Sequence, residues 1–195
     1  MPGISFTAVD FATANRDRAS VCGVGLVKVR NGRIEDRASW LIKPPPGLEH
    51  FDSLHTDFHG ISAGDVSAAA DWEMSVEGIL HFTGEDHMVA YNATYNADVM
   101  LKASDRLRLD LPAKDFYCAL WLAQHELDLP KHSLNDVLAA LKLPPVEHPD
   151  PITNALACAK LVLAIARMRR IGSVADLWDA PAVTIGHKPQ GRRRK

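Results

Sequence analysis

The first 43 residues show the pattern expected of three β-strands. Residues 4–11 are mostly apolar, and residues 21–30 alternate before an Asn-Gly pair at 31–32, a strong signal for a tight hairpin. Residues 33–43 would then form the returning strand. The run Pro44–Gly47 ends that strand, because proline has no amide hydrogen to donate to a neighbouring strand. The pattern therefore predicts the start of a mixed or antiparallel sheet.

Beyond residue 60 the spacing of apolar residues becomes helical. A short apolar stretch at 87–91 predicts a fourth strand, and Asp150 followed by Pro151 is typical of a helix start. Helical periodicity covers five longer segments and one short one, residues 62–84, 93–107, 116–127, 133–143, 151–171 and 174–178. Strands followed by alternating strand and helix predict an α/β arrangement, with helices packed on a sheet.

Composition favours one soluble globular domain. The 195 residues carry 22 Lys and Arg against 24 Asp and Glu, so the formal net charge of −2 gives no overall attraction to nucleic acid. Three cysteines without a CxxC pair argue against a zinc knuckle and against a disulfide framework. They favour a reducing compartment, so we predict a cytoplasmic protein. Because no run approaches about 18 uninterrupted apolar residues, we expect no membrane partner.

The last residues differ from the rest of the chain. Residues 179–195 predict a flexible tail after a domain at 1–178. Four consecutive basic residues end the tail, and they are candidate phosphate contacts: Arg192, Arg193, Arg194 and Lys195. A solvated tail without any ligand explains the same residues.

An acidic residue, Asp10, lies in the first predicted strand, where burial is costly unless something binds it. The segment 6–15, F-T-A-V-D-F-A-T-A-N, resembles the first motif of the DEDDh 3′–5′ exonucleases, the DnaQ-like proofreading branch of the ribonuclease H-like superfamily, where a strand ends in D-F-E-T. Further family landmarks follow in order at 31–32, 40–44, 59–61, 89–93 and 131–159. The resemblance implies a ribonuclease H-like fold, with a mixed central sheet of about five strands flanked by helices.

In that family four carboxylates hold two divalent cations, Mg²⁺ or Mn²⁺, and a histidine deprotonates the attacking water. In this chain Asp10 keeps the first acid, but the glutamate of D-x-E is replaced by Ala12. The second motif, usually H-N-A-x-F-D, reads Y-N-A-T-Y-N at 91–96, so Asn96 stands at the aspartate position. Asparagine keeps a carbonyl oxygen and loses the charge.

The third motif departs in the same direction. The family pattern H-x-A-x-x-D-A aligns with P-D-P-I-T-N-A at 149–155, so Pro149 replaces the general base and Asn154 replaces the last metal-binding aspartate. His148 and Asp150 are possible substitutes, although a surface loop and a helix N-cap account for them equally well. Asp10 is then the retained acid of five catalytic positions, and the weak metal ligand that remains.

Three functional hypotheses follow. The first is a catalytically degenerate DEDDh exonuclease homologue that binds nucleic acid, a nucleotide or a protein partner without hydrolysis and needs no cofactor. The second is an active 3′–5′ exonuclease that uses Mg²⁺ or Mn²⁺ with Asp10, His148 and Asp150. The third is a purely structural interaction domain without affinity for nucleic acid.

Overall fold

A computed structural model describes residues 3–187, in which six strands form one mixed sheet of order β3-β2-β1-β4-β5-β6. The strands are β1 (Phe6–Thr13), β2 (Val21–Arg30), β3 (Arg33–Leu41), β4 (Met88–Ala90), β5 (Lys114–Cys118) and β6 (Val183–Ile185). Strands β1, β2 and β3 pair antiparallel, β4 and β5 add in parallel to β1, and β6 closes the edge antiparallel to β5. This architecture confirms the predicted α/β fold.

Helices cover both faces of the sheet. They are α1 (Ser53–His59), α2 (Trp72–Thr83), α3 (Ala93–Arg106), α4 (Ala119–Glu126), α5 (Leu134–Ala140), α6 (Pro151–Arg169) and α7 (Val174–Leu177). Because side chains alternate along a strand, Phe6 and Ala8 of β1 face the core formed with α4, α5, α6 and α7. Val9 and Phe11 face the core formed with α2 and α3. Asp10 shares the first face, so it points toward α6.

Two strands lie where the sequence analysis expected other structure. Residues 116–118, predicted to begin a helix, belong to β5, and the helix begins at Ala119 instead. Val183–Ile185, assigned to a flexible tail, forms β6; Ile185 is buried against the sheet, and Thr184 donates to Asp115. The tail prediction is therefore wrong for 183–185, because β5 offers that segment an open edge. The basic cluster Arg192–Lys195 lies outside the described residues.

Helix boundaries also differ before residue 84. Helix α1 occupies residues 53–59, where the sequence analysis predicted no helix. Helix α2 begins at Trp72 rather than near residue 62, because the Asp71 side chain accepts a hydrogen bond from the Met74 amide and caps it.

Helix α6 sets the position of the third motif. It starts as predicted at Asp150, whose side chain accepts from the Thr153 amide at 2.8 Å. A side chain on Gly25 of β2 would overlap the backbone of Pro151, so glycine is required for α6 to approach the sheet this closely. Its first turn therefore lies directly against β2, beside β1.

Helix α6 is also long and apolar enough to cross a membrane by length and composition, with a mean hydropathy of 1.3 over 18 residues. The sequence analysis expected no such segment. In the fold this helix packs on β1 and β2, with Leu161, Val162 and Ile165 fully buried. The same pattern is found in the central helix of a globular core, which is its role here.

Candidate functional site

An open cleft of about 820 Å³ lies where β1 ends and the first turns of α3 and α6 meet it. Five widely separated sequence positions line it together: Asp10, Ala12, Asn96, Pro149 and Asn154. These are the retained acid and the four substituted positions of the three motifs. The fold therefore brings to one place residues that lie up to 144 positions apart in the chain.

Asp10 and Ala12 lie on the same face of β1, since they are two residues apart on a strand. The pairing of β1 with β2 shifts register between Ala12 and Thr13, at the end of β1 beside the cleft. Ala12 is only 6% exposed, and its methyl group offers no oxygen to a ligand. Of these two motif positions on β1, Asp10 alone carries a functional group, its carboxylate.

Two side-chain amides accompany that carboxylate. Asn154 of α6 donates from Nδ2 to Oδ2 of Asp10 at 3.0 Å. Asn96 of α3, which is 1% exposed, accepts from the Phe11 amide through Oδ1 and donates through Nδ2 to the Asn92 carbonyl, both at 3.0 Å. Asn96 thus ties α3 to β1, and we call Asp10, Asn96 and Asn154 the cleft floor.

Burial raises the pKa of Asp10 from its ordinary value to about 7, and the nearby negative charge of Asp150 adds to this rise. The amides of Asn154 and Asn96 oppose it by stabilising the ionised form. Removing a carboxylate from water is costly, and two neutral amides compensate only in part. Asp10 therefore exchanges its proton near neutral pH.

The cleft floor does not fit a pair of divalent cations. The Asn96 oxygen is used by a backbone amide, Asn154 turns an N–H toward Asp10, and Ala12 has no donor atom. Hard cations such as Mg²⁺ take oxygen ligands and need carboxylates to release their waters. Within residues 3–187, no cluster of three or more His, Cys, Asp or Glu side chains is placed to hold a metal ion.

The two candidate substitutes are placed differently. Asp150 lines the cleft and is half-buried, but one of its oxygens accepts from both the amide and the hydroxyl of Thr153 as the cap of α6. His148 is exposed, and its side chain is not among those that line the cleft. Its backbone carbonyl accepts from the Thr153 hydroxyl. The structure brings Asp150 to the site and leaves His148 outside.

Helix α1 supplies a second side of the cleft. Leu54 and Phe58 line it while remaining 71% and 63% exposed, and we call this pair the α1 wall. His55 and His59 donate from Nδ1 and Nε2 to the Thr13 carbonyl at 3.0 and 3.1 Å, which fastens α1 to the end of β1. The sequence analysis missed this helix. Leu54 and Phe58 are four residues apart, and so are His55 and His59. This helical spacing is the signal that would have predicted the helix.

The strand order and the helices on both faces define the class: the chain has the ribonuclease H-like fold of the DEDDh-type 3′–5′ exonucleases. No family model matches its sequence. A DNA polymerase III of the PolC type from Thermotoga petrophila is 27% identical in an alignment of 174 positions that covers 86% of this chain. The chain spans about 12% of the length of that relative.

Solved structures agree on the fold. Exonuclease X, in complex with 5′ overhanging duplex DNA, has a TM-score of 0.67 and 21% identity over 84% of this chain and 92% of its own. Cell-death related nuclease 4 has a TM-score of 0.72 and 16% identity, covering 96% and 82% of the two chains. A 3′-exonuclease that recognises the histone mRNA stem-loop has a TM-score of 0.72 and 12% identity, covering 84% of this chain and 82% of its own. The predicted resemblance to this group is confirmed at the level of the fold.

Proposed function

We propose that this protein is a catalytically degenerate homologue of the DEDDh exonucleases, which binds the end of a nucleic acid in the cleft without cutting it. The contact that carries the proposal is the hydrogen bond from Asn154 to Asp10. It puts an amide N–H where a two-cation site requires a metal bound to the carboxylate. The nucleic-acid ligand is supported by the fold, because one solved neighbour is a complex with DNA and another recognises the histone mRNA stem-loop.

The loss of hydrolysis follows from how the parts of such a site depend on one another. Two cations stabilise the attacking and leaving oxygens. Neither is held by alanine, by Asn96, whose amide oxygen is engaged, or by Asn154, which turns its N–H toward Asp10. Pro149, at the position of the general base, has no group that accepts a proton. When the members of a catalytic unit act together, losing one removes most of the rate and further losses add little.

A nuclease assay tests the proposal. Pure protein is incubated with 5′-labelled single-stranded DNA and RNA in Mg²⁺ or Mn²⁺, beside an Asp10→Ala variant prepared identically. We expect no difference between the two proteins. Progressive 3′-to-5′ shortening by the native protein that disappears in Asp10→Ala would overturn the proposal, because it would show that Asp10 supports hydrolysis.

A second candidate function is a metal-dependent exonuclease with shifted ligands, and one observation favours it. Asp150 lines the same cleft as Asp10, close enough for its charge to raise the Asp10 pKa. Two carboxylates could share one cation if Asp150 gave up its cap to Thr153. Saturable Mn²⁺ binding that is lost in both Asp10→Ala and Asp150→Ala would favour this candidate over the first.

Three parts of the interpretation stay predictions. A protein partner, a nucleotide ligand and a cytoplasmic location each follow from the sequence analysis. The phosphate contacts of Arg192–Lys195 are also predicted only, and deletion of 192–195 tests them. If these four residues provide the affinity, the deletion removes oligonucleotide binding and its salt dependence together.

A further inference from the structure

Helix α1 is held to the rest of the protein by two histidines. None of its residues is buried, and across residues 3–187 its side chains form hydrogen bonds to other elements only through His55 and His59. Isolated helices shorter than about 12 residues are marginal in water, and α1 has seven residues. The docking of α1 on β1 therefore depends on these two side chains.

The hydrogen bonds of His59 require the neutral form of its ring. Nε2 lies 3.1 Å from the Thr13 carbonyl oxygen, which can only accept, so Nε2 carries the proton. Nδ1 accepts from the Ile61 amide at 3.1 Å, so Nδ1 carries none, and a second proton on the ring would break this bond. His55 differs, because its Nδ1 donates to the same Thr13 carbonyl at 3.0 Å and its Nε2 bonds to no described residue. His55 therefore keeps its bond whether it is neutral or charged.

A positive charge on His59 would have no negative partner in its surroundings. Strand β2 presents Cys22, whose Sγ lies 4.0 Å from Nε2 and whose pKa burial raises to about 12, so this thiol is neutral. Helix α3 presents Tyr95, which bonds to the Thr13 hydroxyl and stays neutral because burial raises its pKa. The neighbour on α1 is His55, and within residues 3–187 His59 forms no ion pair. Burial lowers the His59 pKa, the bond to Thr13 opposes this, and a charge on His55 lowers it further.

We propose that protonation of His59 releases α1 from β1, so that mild acid opens the cleft on the side of the α1 wall. We call the bonds of His59 to Thr13 and Ile61 the His59 latch. Above about pH 6.5, where an ordinary histidine is neutral, the latch is closed. As the pH falls, the released helix binds a proton that the docked helix excludes, so docking weakens. The latch goes beyond the proposed function and operates whichever ligand the cleft takes.

Acid should act on α1 and on the rest of the fold in opposite directions. The pKa of Asp10 is raised to about 7, so protonation of Asp10 stabilises the fold as a whole. The pKa of His59 is lowered, so protonation of His59 favours the released helix. Loss of protection in α1, without loss in α3 or α6, is therefore the signature of the latch.

Hydrogen exchange followed by mass spectrometry tests the latch. Peptides that cover residues 53–61, α3 and α6 of the full chain are compared at pH 7.5 and pH 5.0, after correction for the intrinsic pH dependence of amide exchange. We expect protection in 53–61 to fall roughly tenfold, within a limit of about thirtyfold set by about 1.5 pH units below the ordinary histidine pKa. Unchanged protection in 53–61, or an equal fall in all three segments, overturns the inference.

A matched pair of variants assigns the effect to one histidine. His59→Gln keeps an N–H that can donate to Thr13 and removes the titration, so the acid effect on 53–61 should fall to about twofold or less. His81→Gln removes an exposed histidine of α2 whose side chain forms no hydrogen bond within residues 3–187, and it should leave the acid effect unchanged. The same acid effect in both variants overturns the inference.

If His59→Gln leaves α1 undocked at both pH values, NMR of the native protein decides. The Ile61 amide proton is bound to Nδ1 of His59, so its signal should move upfield as the ring is protonated. It should follow the same single-proton curve as the ring C–H signals of His59, with a midpoint below 6.5. An Ile61 amide signal that does not follow the His59 ring, or a midpoint above 6.5, overturns the inference.

Discussion

The cleft floor and the α1 wall differ in how their side chains are satisfied. In the floor, Asn96 is buried with both ends of its amide paired, and Asn154 is held on Asp10. The α1 wall exposes Leu54 and Phe58, and no residue of its helix is buried. The comparison shows that the side chains of the floor are engaged within the packed structure. The wall keeps surface that is available to a ligand.

The largest loss of stability is expected from a substitution at the contact between α6 and β2, which fixes the position of the cleft floor. Gly25→Ala places a methyl group on the backbone of Pro151, so either α6 or β2 must move. We expect a loss of about 3 kcal/mol in the free energy of unfolding, measured by urea denaturation. Gly64→Ala is the control, because a methyl group there meets only a side-chain oxygen at 3.7 Å. Equal midpoints for the two variants would show that α6 is not tightly docked.

The second-largest loss of stability is expected at Asn96, whose side-chain amide joins α3 to β1. Asn96→Ala leaves the Phe11 amide and the Asn92 carbonyl without their partner. Burying unpaired polar groups should cost about 2 kcal/mol in stability. The measurement is again the urea midpoint. A change below about 0.5 kcal/mol would contradict the structural role assigned to Asn96.

Asp10 should make the free energy of unfolding depend on pH, by an amount similar to the effect of Asn96→Ala. Because its pKa is raised to about 7 in the folded state, the folded protein keeps a proton that the unfolded chain releases above pH 4. Stability from this group is therefore full below about pH 4, falls as the pH rises, and levels off above 7. Between pH 5 and pH 8 the free energy of unfolding should fall by roughly 2 to 3 kcal/mol. Thermal denaturation of the native protein and Asp10→Asn at pH 5 and pH 8 measures it, and identical pH dependence in both would refute it.

The smallest effect on stability is expected at the α1 wall. Phe58→Ala removes a side chain that is 63% exposed, so the free energy of unfolding should change by less than about 0.5 kcal/mol. The same variant should weaken oligonucleotide binding. If instead it destabilises the fold by more than 1 kcal/mol while binding is unchanged, the wall is structural and the comparison with the floor fails.

Most of the fold could be predicted from local pattern, and the exceptions have physical reasons. The hairpin, α3 and the cap at Asp150 depend on residues close in sequence. Strand β6 could not be predicted in this way, because Val183–Ile185 is a strand only through its pairing with β5. Helix α1 was missed although it has helical i, i+4 spacing, because it is only seven residues long and buries no side chain. Its histidines bind the Thr13 carbonyl, 42 and 46 residues away.

The candidate site was predicted through the motif resemblance rather than by chemistry. Alignment named Ala12, Asn96 and Asn154 as one set, and they do line one cleft with Asp10. No spacing rule could have revealed that Asn154 donates to Asp10 or that the Asn96 oxygen is engaged by a backbone amide. Those contacts depend on how α3 and α6 dock against β1, which is a property of the whole fold.

Calorimetric titration with Mn²⁺ tests the central claim most directly. The native protein should give no saturable heat, because amides and a methyl group stand where carboxylates are needed. The triple variant Ala12→Glu, Asn96→Asp and Asn154→Asp should melt at a lower temperature without metal, since its acids repel one another, and should gain Mn²⁺-dependent stability. Saturable Mn²⁺ binding by the native protein that is lost in Asp10→Ala would contradict the account.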